Sequence, residues 1–251
     1  MAEVFGHEKL KVYQKAKNFV SVRKQLLDNI SRRVSACDHL SRGAESILLN
    51  IAHASSSWSP KDRIVYIGHA NGSALECAAC LDVFVAKRLL TPSDIYVGKR
   101  QLSEIVSMFI AMKEKTSDRV REDHIAYLIP REDRFFSHEN LDVYQLALRF
   151  TEWMESVCMD FSCSADLRSK LGKSSTSIVL NIAEGNGRFS EADQAKFLGV
   201  AYRSAVQSSS LMDLATSEVP FAPDRTEEGQ KMLRRIAAML TSLSKASLQD
   251  T

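Results

Sequence analysis

The chain repeats itself without a gap. His7-Glu8-Lys9-Leu10-Lys11-Val12-Tyr13-Gln14-Lys15-Ala16 returns as His138-Glu139-Asn140-Leu141-Asp142-Val143-Tyr144-Gln145-Leu146-Ala147. Ser46-Ile47-Leu48-Leu49-Asn50-Ile51-Ala52 returns as Ser177-Ile178-Val179-Leu180-Asn181-Ile182-Ala183. Gly68, Ala70, Ser73, Ala74 and Asp82 return as Gly199, Ala201, Ser204, Ala205 and Asp213. Every pair lies 131 positions apart (138 − 7 = 131), and about 30% of positions 7–82 match at this offset. A unit of this length is far beyond a solenoid repeat, so the chain carries a duplicated domain. Its 251 residues then divide into two units, each long enough to bury a core.

Apolar spacing is helical in both units. Leu10, Tyr13, Ala16 and Val20 form one stripe, continued by Leu26, Leu27 and Ile30; the second copy has Leu141, Tyr144, Leu148 and Met154. No strand-type alternation appears. The pattern predicts helices over 8–31, 36–56, 60–90 and 93–115, and again over 139–161, 164–185, 190–217 and 224–247. Ser59-Pro60 supplies a cap with proline in the first turn. Gly185-Asn186-Gly187 reads as a left-handed cap ending the sixth helix. Long helices joined by short turns predict an all-α protein of two tandem antiparallel four-helix bundles: 1–115, a linker at 116–137, and 138–251. Ile125, Tyr127, Leu128, Ile129, Phe135 and Phe136 make that linker too apolar for a free tether, and it is expected to pack.

The second unit carries Asn181-Ile182-Ala183-Glu184-Gly185-Asn186-Gly187-Arg188-Phe189-Ser190, preceded by Leu141-Asp142-Val143-Tyr144 and followed by Phe197-Leu198, Ala201 and Ser204. This resembles the four-helix-bundle family first named from reading frames inside 23S rRNA intervening sequences. The accessory variability determinant of diversity-generating retroelements is similar to that family. The resemblance covers nearly the whole chain and implies a small bundle that oligomerises, in known cases into rings, without established enzymatic activity. It also implies RNA and a reverse transcriptase as partner classes, through basic surface. The first unit departs from the pattern: Asn50-Ile51-Ala52-His53-Ala54 lacks the Glu-Gly, yet Gly72-Ser73-Ala74-Leu75-Glu76 resembles the family's third-helix Gly-Ser-x-x-Glu. The second keeps Glu184-Gly185 but reads Arg203-Ser204-Ala205-Val206-Gln207 at that site. Each half has lost what the other retains, so a ring of identical bundles is not expected.

A charged fraction of 25% and a hydrophobic fraction of 45% suit a soluble globular chain. No apolar run approaches a membrane span, and Met1 to Gly6 shows no secretory signal. The five cysteines, Cys37, Cys77, Cys80, Cys158 and Cys163, have no cysteine counterparts in the other unit. A disulfide framework would duplicate as pairs, so a reduced, cytoplasmic protein is expected. The net charge of +2 hides an asymmetry: residues 1–130 hold 19 basic and 14 acidic residues, net +5, and 131–251 hold 14 and 17, net −3. Opposite charges suit either attraction between the halves or a phosphate-binding first half.

No phosphate-cradling loop or nucleophile elbow is present. His39, His53 and His69 do not recur in the second unit, so a duplicated metal site is not expected. Glu76 and Glu184, with Arg188 or Arg203 near, read as structural ion pairs. Asn50, Ser73, Asn181, Gly185 and Ser204 read as structural members of the family motif. The residues therefore predict a non-enzymatic helical scaffold or adaptor working through a protein partner or self-association. It has no cofactor, no small-molecule substrate and no membrane attachment. The alternative is a nucleic-acid-binding accessory factor that takes up RNA or nucleoprotein and partners a reverse transcriptase. Its contact surface would be Lys9, Lys11, Lys15, Lys17, Arg23, Lys24, Arg32 and Arg33. Either way, the fused chain is expected to bury a substantial contact between its halves and to be a monomer or dimer more often than a five-fold ring.

Overall fold

A computed structural model describes residues 5–28, 30–31, 34–116, 135–160, 164–218 and 223–249. The eight helices of the described residues are α1 (Lys11–Leu27), α2 (Ser35–Ser56), α3 (Pro60–Ala86), α4 (Pro92–Thr116), α5 (Asp142–Asp160), α6 (Ala165–Asn186), α7 (Glu191–Glu218) and α8 (Pro223–Gln249). No strand occurs among those residues. In each repeat the four helices close a ring of neighbours: α1 packs on α2 and α4 and α3 on both, with α5 to α8 arranged alike. Of the linker, Phe136 is buried and Phe135 stacks edge-on against Tyr96 at 5.5 Å. Ile125, Tyr127, Leu128 and Ile129 lie outside the described residues, as do Cys163, Arg32 and Arg33.

The helix ends have local causes. Ser59 Oγ accepts from the Asp62 amide at 3.4 Å and Ser164 Oγ from the Leu167 amide at 3.2 Å, each satisfying an otherwise orphaned donor. The first and fifth helices start three residues later than predicted, at 11 and 142 against 8 and 139. Gly6–Lys9 and Ser137–Asn140 each form a 3₁₀ turn, and Leu10 and Leu141 are extended before the α-helix begins. Helix α3 ends at Ala86 and is closed by Arg88, which adopts φ 57°. There the Arg88 and Leu89 amides reach back to the Val85 and Phe84 carbonyls at 2.8 and 2.9 Å, the hydrogen-bond pattern of a Schellman cap. The glycine cap expected after α6 is different: Gly187 has φ −82° in the right-handed region. It is needed for space, because a Cβ there would lie 2.8 Å from the Gly72 Cα.

Equivalent residues superpose in role. Tyr13 sits on α1 and Tyr144 on α5, and each stands edge-on to its preceding histidine, His7 or His138, at 4.7 Å. Ser46 and Ser73 bridge α2 to α3 at 2.8 Å, and Ser177 and Ser204 bridge α6 to α7 at 2.8 Å. The Asn50 and Asn181 amides stay on their own helices. Each donates to the carbonyl four residues earlier, Ser46 or Ser177, at 2.8 Å. The bridging serine hydroxyl already crosses to the next helix, so the amide is satisfied locally.

The halves meet head to tail. Helix α3 packs along α6 and reaches α5, while α7 and α2, the counterparts of α3 and α6, share no comparable contact. Helix α3 is therefore buried almost all round from Ile67 to Phe84, with Asn71 and Ser73 covered too. Helix α7 buries one stripe and leaves Tyr202, Val206 and Leu214 exposed.

Candidate functional site

The seam between the halves collects the motif residues that each repeat kept. From α3 come Gly72, Ser73 and Glu76; from the end of α6 come Glu184, Gly185, Gly187 and Arg188. The backbones approach closely because both contact residues are glycine: a Cβ on Gly187 would meet Gly72 Cα at 2.8 Å and Gly72 N at 3.1 Å. The Asn71 side-chain amide donates to the Gly187 carbonyl at 2.9 Å across this contact. A Cβ on Gly72 would fall 2.8 Å from Arg188 Nε, so the guanidinium lies across the glycine. Arg188 then pairs with Glu184 and stacks over Phe197 at 4.4 Å. A Cβ on Gly185 would meet Phe197 Cβ at 3.2 Å, so the glycine lets α6 close on α7.

Beside the seam lies an open cleft of about 520 Å³ whose lining includes Asn50, Ser73, Glu76, Glu184, Arg188 and Lys196. His39 Nδ1 bonds Glu76 Oε1 at 2.8 Å, the partner that sequence reasoning missed. Burial, reinforced by the neighbouring Glu76 charge, pushes the Glu184 carboxyl above its usual range even against the opposing Arg188. Burial lowers the His69 imidazole, helped by Arg188. A second cleft of about 410 Å³ continues between α2 and α6, lined by Ser35, Asp38, Lys170, Lys173, Ser177 and others. His39 and Arg42 belong to both clefts, so the two form one trough.

At the other end of the seam Lys99 of α4 is buried between two carboxylates. Its ammonium bonds Asp82 Oδ1 at 2.6 Å and also Glu139, and the Tyr144 hydroxyl donates to Asp82 Oδ2 at 2.8 Å. Burial would lower the Lys99 pKa, but Asp82 and Glu139 together outweigh it and raise it. Asp82, His138 and Glu139 offer ligand atoms within 4.8 Å of one another. The ammonium already supplies the charge that a metal ion would bring, and the cluster works as a clasp between repeats. His138 is fully buried against Phe136 and Tyr144 with both ring nitrogens unpaired. Lys87–Glu155 at 3.4 Å and Arg88–Glu152 at 3.5 Å add pairs across the same seam.

The basic residues of the first helix are divided. Lys9, Lys11, Lys17 and Lys24 are exposed. Lys15 pairs with Glu104 of α4, and Arg23 is tucked against α2, 3.4 Å from the Ser41 carbonyl. Cys37, Cys77, Cys80 and Cys158 are buried. Burial pushes the Cys77 and Cys80 thiols well up, which removes the thiolate that reactivity needs. Among the described residues no helix is long and apolar enough to cross a membrane.

The family model described as 23S rRNA-intervening sequence protein matches residues 8–111 and, a second time, residues 139–242. No curated protein and no solved structure matches the chain.

Proposed function

The chain belongs to the 23S rRNA-intervening sequence protein family, twice over in one polypeptide, and from that premise we propose that it is a non-enzymatic scaffold. It works through protein–protein contacts at the two faces that the head-to-tail pairing leaves open. The observation that supports this is a set of exposed apolar residues. Trp58, 100% exposed, is the counterpart of Phe189, which packs on Gly68. Tyr202 and Val206, both exposed, are the counterparts of Asn71 and Leu75, which are buried at the Gly187 contact. Tyr202 and Val206 lie one turn apart on α7, a local apolar patch of the kind that serves interaction.

The two open faces differ from the closed one in ways that disfavour a third identical contact. Gly72 and Gly187 correspond to Arg203 and Ser56, which need the space the glycines leave free. Lys99 corresponds to Gln230, so Asp213 and a neighbour's Glu8 would meet without a cation. The fused pair therefore limits its own growth and offers unlike ends to partners.

A photo-crosslinking residue placed at Trp58 or Val206 tests this in the source cell. Capture of a protein at those positions supports the scaffold, and capture of none refutes it. Light scattering should give one or two chains; a mass of five or ten chains would overturn the self-limiting pair. A second reading, an RNA-binding accessory factor alone or beside a reverse transcriptase, rests on the exposed Lys9, Lys11, Lys17 and Lys24 of the basic first half. Its signature is affinity that collapses with salt.

A further inference from the structure

The trough between α2 and α6 has two chemically different ends, and its residues come from both repeats. Arg42 and Lys173 occupy equivalent positions (42 + 131 = 173) and face the same cleft from opposite helices, with Lys170 beside them. Charged groups in this lobe are Arg42, Lys170 and Lys173 against Asp38, a balance of +2 (3 − 1). Lys170 shares its charge with Asp166 at 2.6 Å; Arg42 and Lys173 have no carboxylate within ion-pair distance among the described residues. The adjoining lobe shares Arg42 and beyond it holds Arg188 and Lys196 against Glu76, Glu184 and Asp193, a balance of −1 (2 − 3). It also presents the Asn50 amide, beside the Ser46–Ser73 hydroxyl bridge.

A bare cationic patch would bind any polyanion. This trough instead sets a net positive lobe next to one where carboxylates outnumber cations. A phosphoryl group matches the first, because guanidinium forks and ammonium groups hold phosphate oxygens through charge-assisted bonds. Vicinal hydroxyls match the second, because ionised carboxylates only accept and so need donors. We propose that the trough binds a sugar phosphate, its phosphoryl group between Arg42 of one repeat and Lys173 of the other, its hydroxyls toward Glu76, Glu184 and Asn50. The ligand would be free or the terminus of an RNA strand. The site goes beyond the scaffold reading and does not depend on it, since it lies on the α2–α6 side of the seam and not on the open faces.

The probes are ribose 5-phosphate, inorganic phosphate and a short 5′-phosphorylated RNA, each titrated calorimetrically into the full chain. Ribose 5-phosphate should bind once per chain, at least tenfold more tightly than inorganic phosphate. The paired change Arg42→Glu with Lys173→Glu should weaken both by at least tenfold, and Arg42→Gln with Lys173→Gln should do so in part. Both pairs alter exposed side chains, and circular dichroism checks that they fold. Glu184→Gln should weaken ribose 5-phosphate and leave inorganic phosphate unchanged. RNA that binds more tightly than ribose 5-phosphate and competes with it identifies the strand terminus as the ligand; RNA that binds no better identifies the free compound. The proposal is overturned if ribose 5-phosphate fails to bind at millimolar concentration, if inorganic phosphate binds equally well, or if the charge reversals change nothing.

Discussion

Replacing Gly187 with alanine adds one methyl group at the tightest point between the halves. The new Cβ would lie 2.8 Å from Gly72 Cα, 3.1 Å from Gly72 N and 3.0 Å from Leu75 Cδ1. Ordinary carbon–carbon contact is about 3.5–4.0 Å, and two of these three atoms are backbone. The end of α6 and the middle of α3 must therefore separate by roughly 1 Å to reach ordinary contact. Gly187 already has right-handed dihedrals, so alanine meets no backbone penalty of its own. Overpacking of this kind costs about 1–3 kcal/mol. The same movement stretches the buried Asn71–Gly187 bond of 2.9 Å, worth about 1 kcal/mol more. The expected loss is about 2–3 kcal/mol, read from urea unfolding of the whole chain. Two other glycines calibrate it. A Cβ at Gly68 meets the Phe189 side chain, nearest its Cδ2 at 3.2 Å, and that ring can swing, so alanine there should be close to neutral. Gly199 is the counterpart of Gly68 on α7, where a Cβ meets nothing nearer than Arg203 Nη1 at 3.6 Å. Alanine there should stabilise by up to about 1 kcal/mol through helix propensity. If Gly187→Ala and Gly199→Ala change stability alike, or Gly187→Ala costs under about 0.5 kcal/mol, the close glycine contact is not what positions the halves.

His138 is buried neutral with its pKa well below the ordinary value, through burial and then the Lys99 charge. The unfolded chain takes up the proton more readily, so stability is lost as pH falls from about 6.5; His138→Phe should flatten that slope in pH-dependent unfolding and raise stability at neutral pH. Lys99→Met should cost about 3–5 kcal/mol, because Asp82 and Glu139 are left buried without their cation, and adding Asp82→Asn with Glu139→Gln should restore most of it. The raised Lys99 pKa means its contribution is complete below the ordinary lysine value and fades as pH climbs through the folded one, an alkaline step that the methionine variant should lack. Arg88→Gly should stabilise by about 1 kcal/mol by relieving the left-handed backbone at the α3 cap, unless loss of the exposed pair with Glu152 matters more than such pairs usually do.

The helices and the duplication were legible because they depend on short-range patterns. Stripes at helical spacing, the Ser59-Pro60 cap and the fixed offset need no knowledge of distant contacts. The late start of α1 was missed because the stripe begins only at Leu10 and says nothing of the polar Gly6–Lys9 before it, which folds as a tighter turn. The motif residues Glu184, Gly185, Arg188, Ser73 and Glu76 were legible as a set, but not as one place, because the seam joins residues more than a hundred positions apart. His39 looked solitary because its partner Glu76 is on another helix of the same repeat. Signals for the seam were present in the unequal pairs of the alignment. Gly72 against Arg203, Gly187 against Ser56, and Lys99 against Gln230 each mark a position where only one copy faces the other half.

The non-reciprocal pairing of α3 with α6 has a consequence for how such a chain can change over time. In an assembly of identical subunits, every substitution is written into all contacts at once, so a surface can drift only if every copy of it tolerates the change. Here the α3 face and the α7 face descend from one ancestral surface but are encoded separately. Arg203 can occupy the place of a glycine, and Gln230 the place of a lysine, without disturbing Gly72 or Lys99. One half can therefore preserve the old contact while the other acquires a new one, within a single gene and without a stage in which the fold is lost.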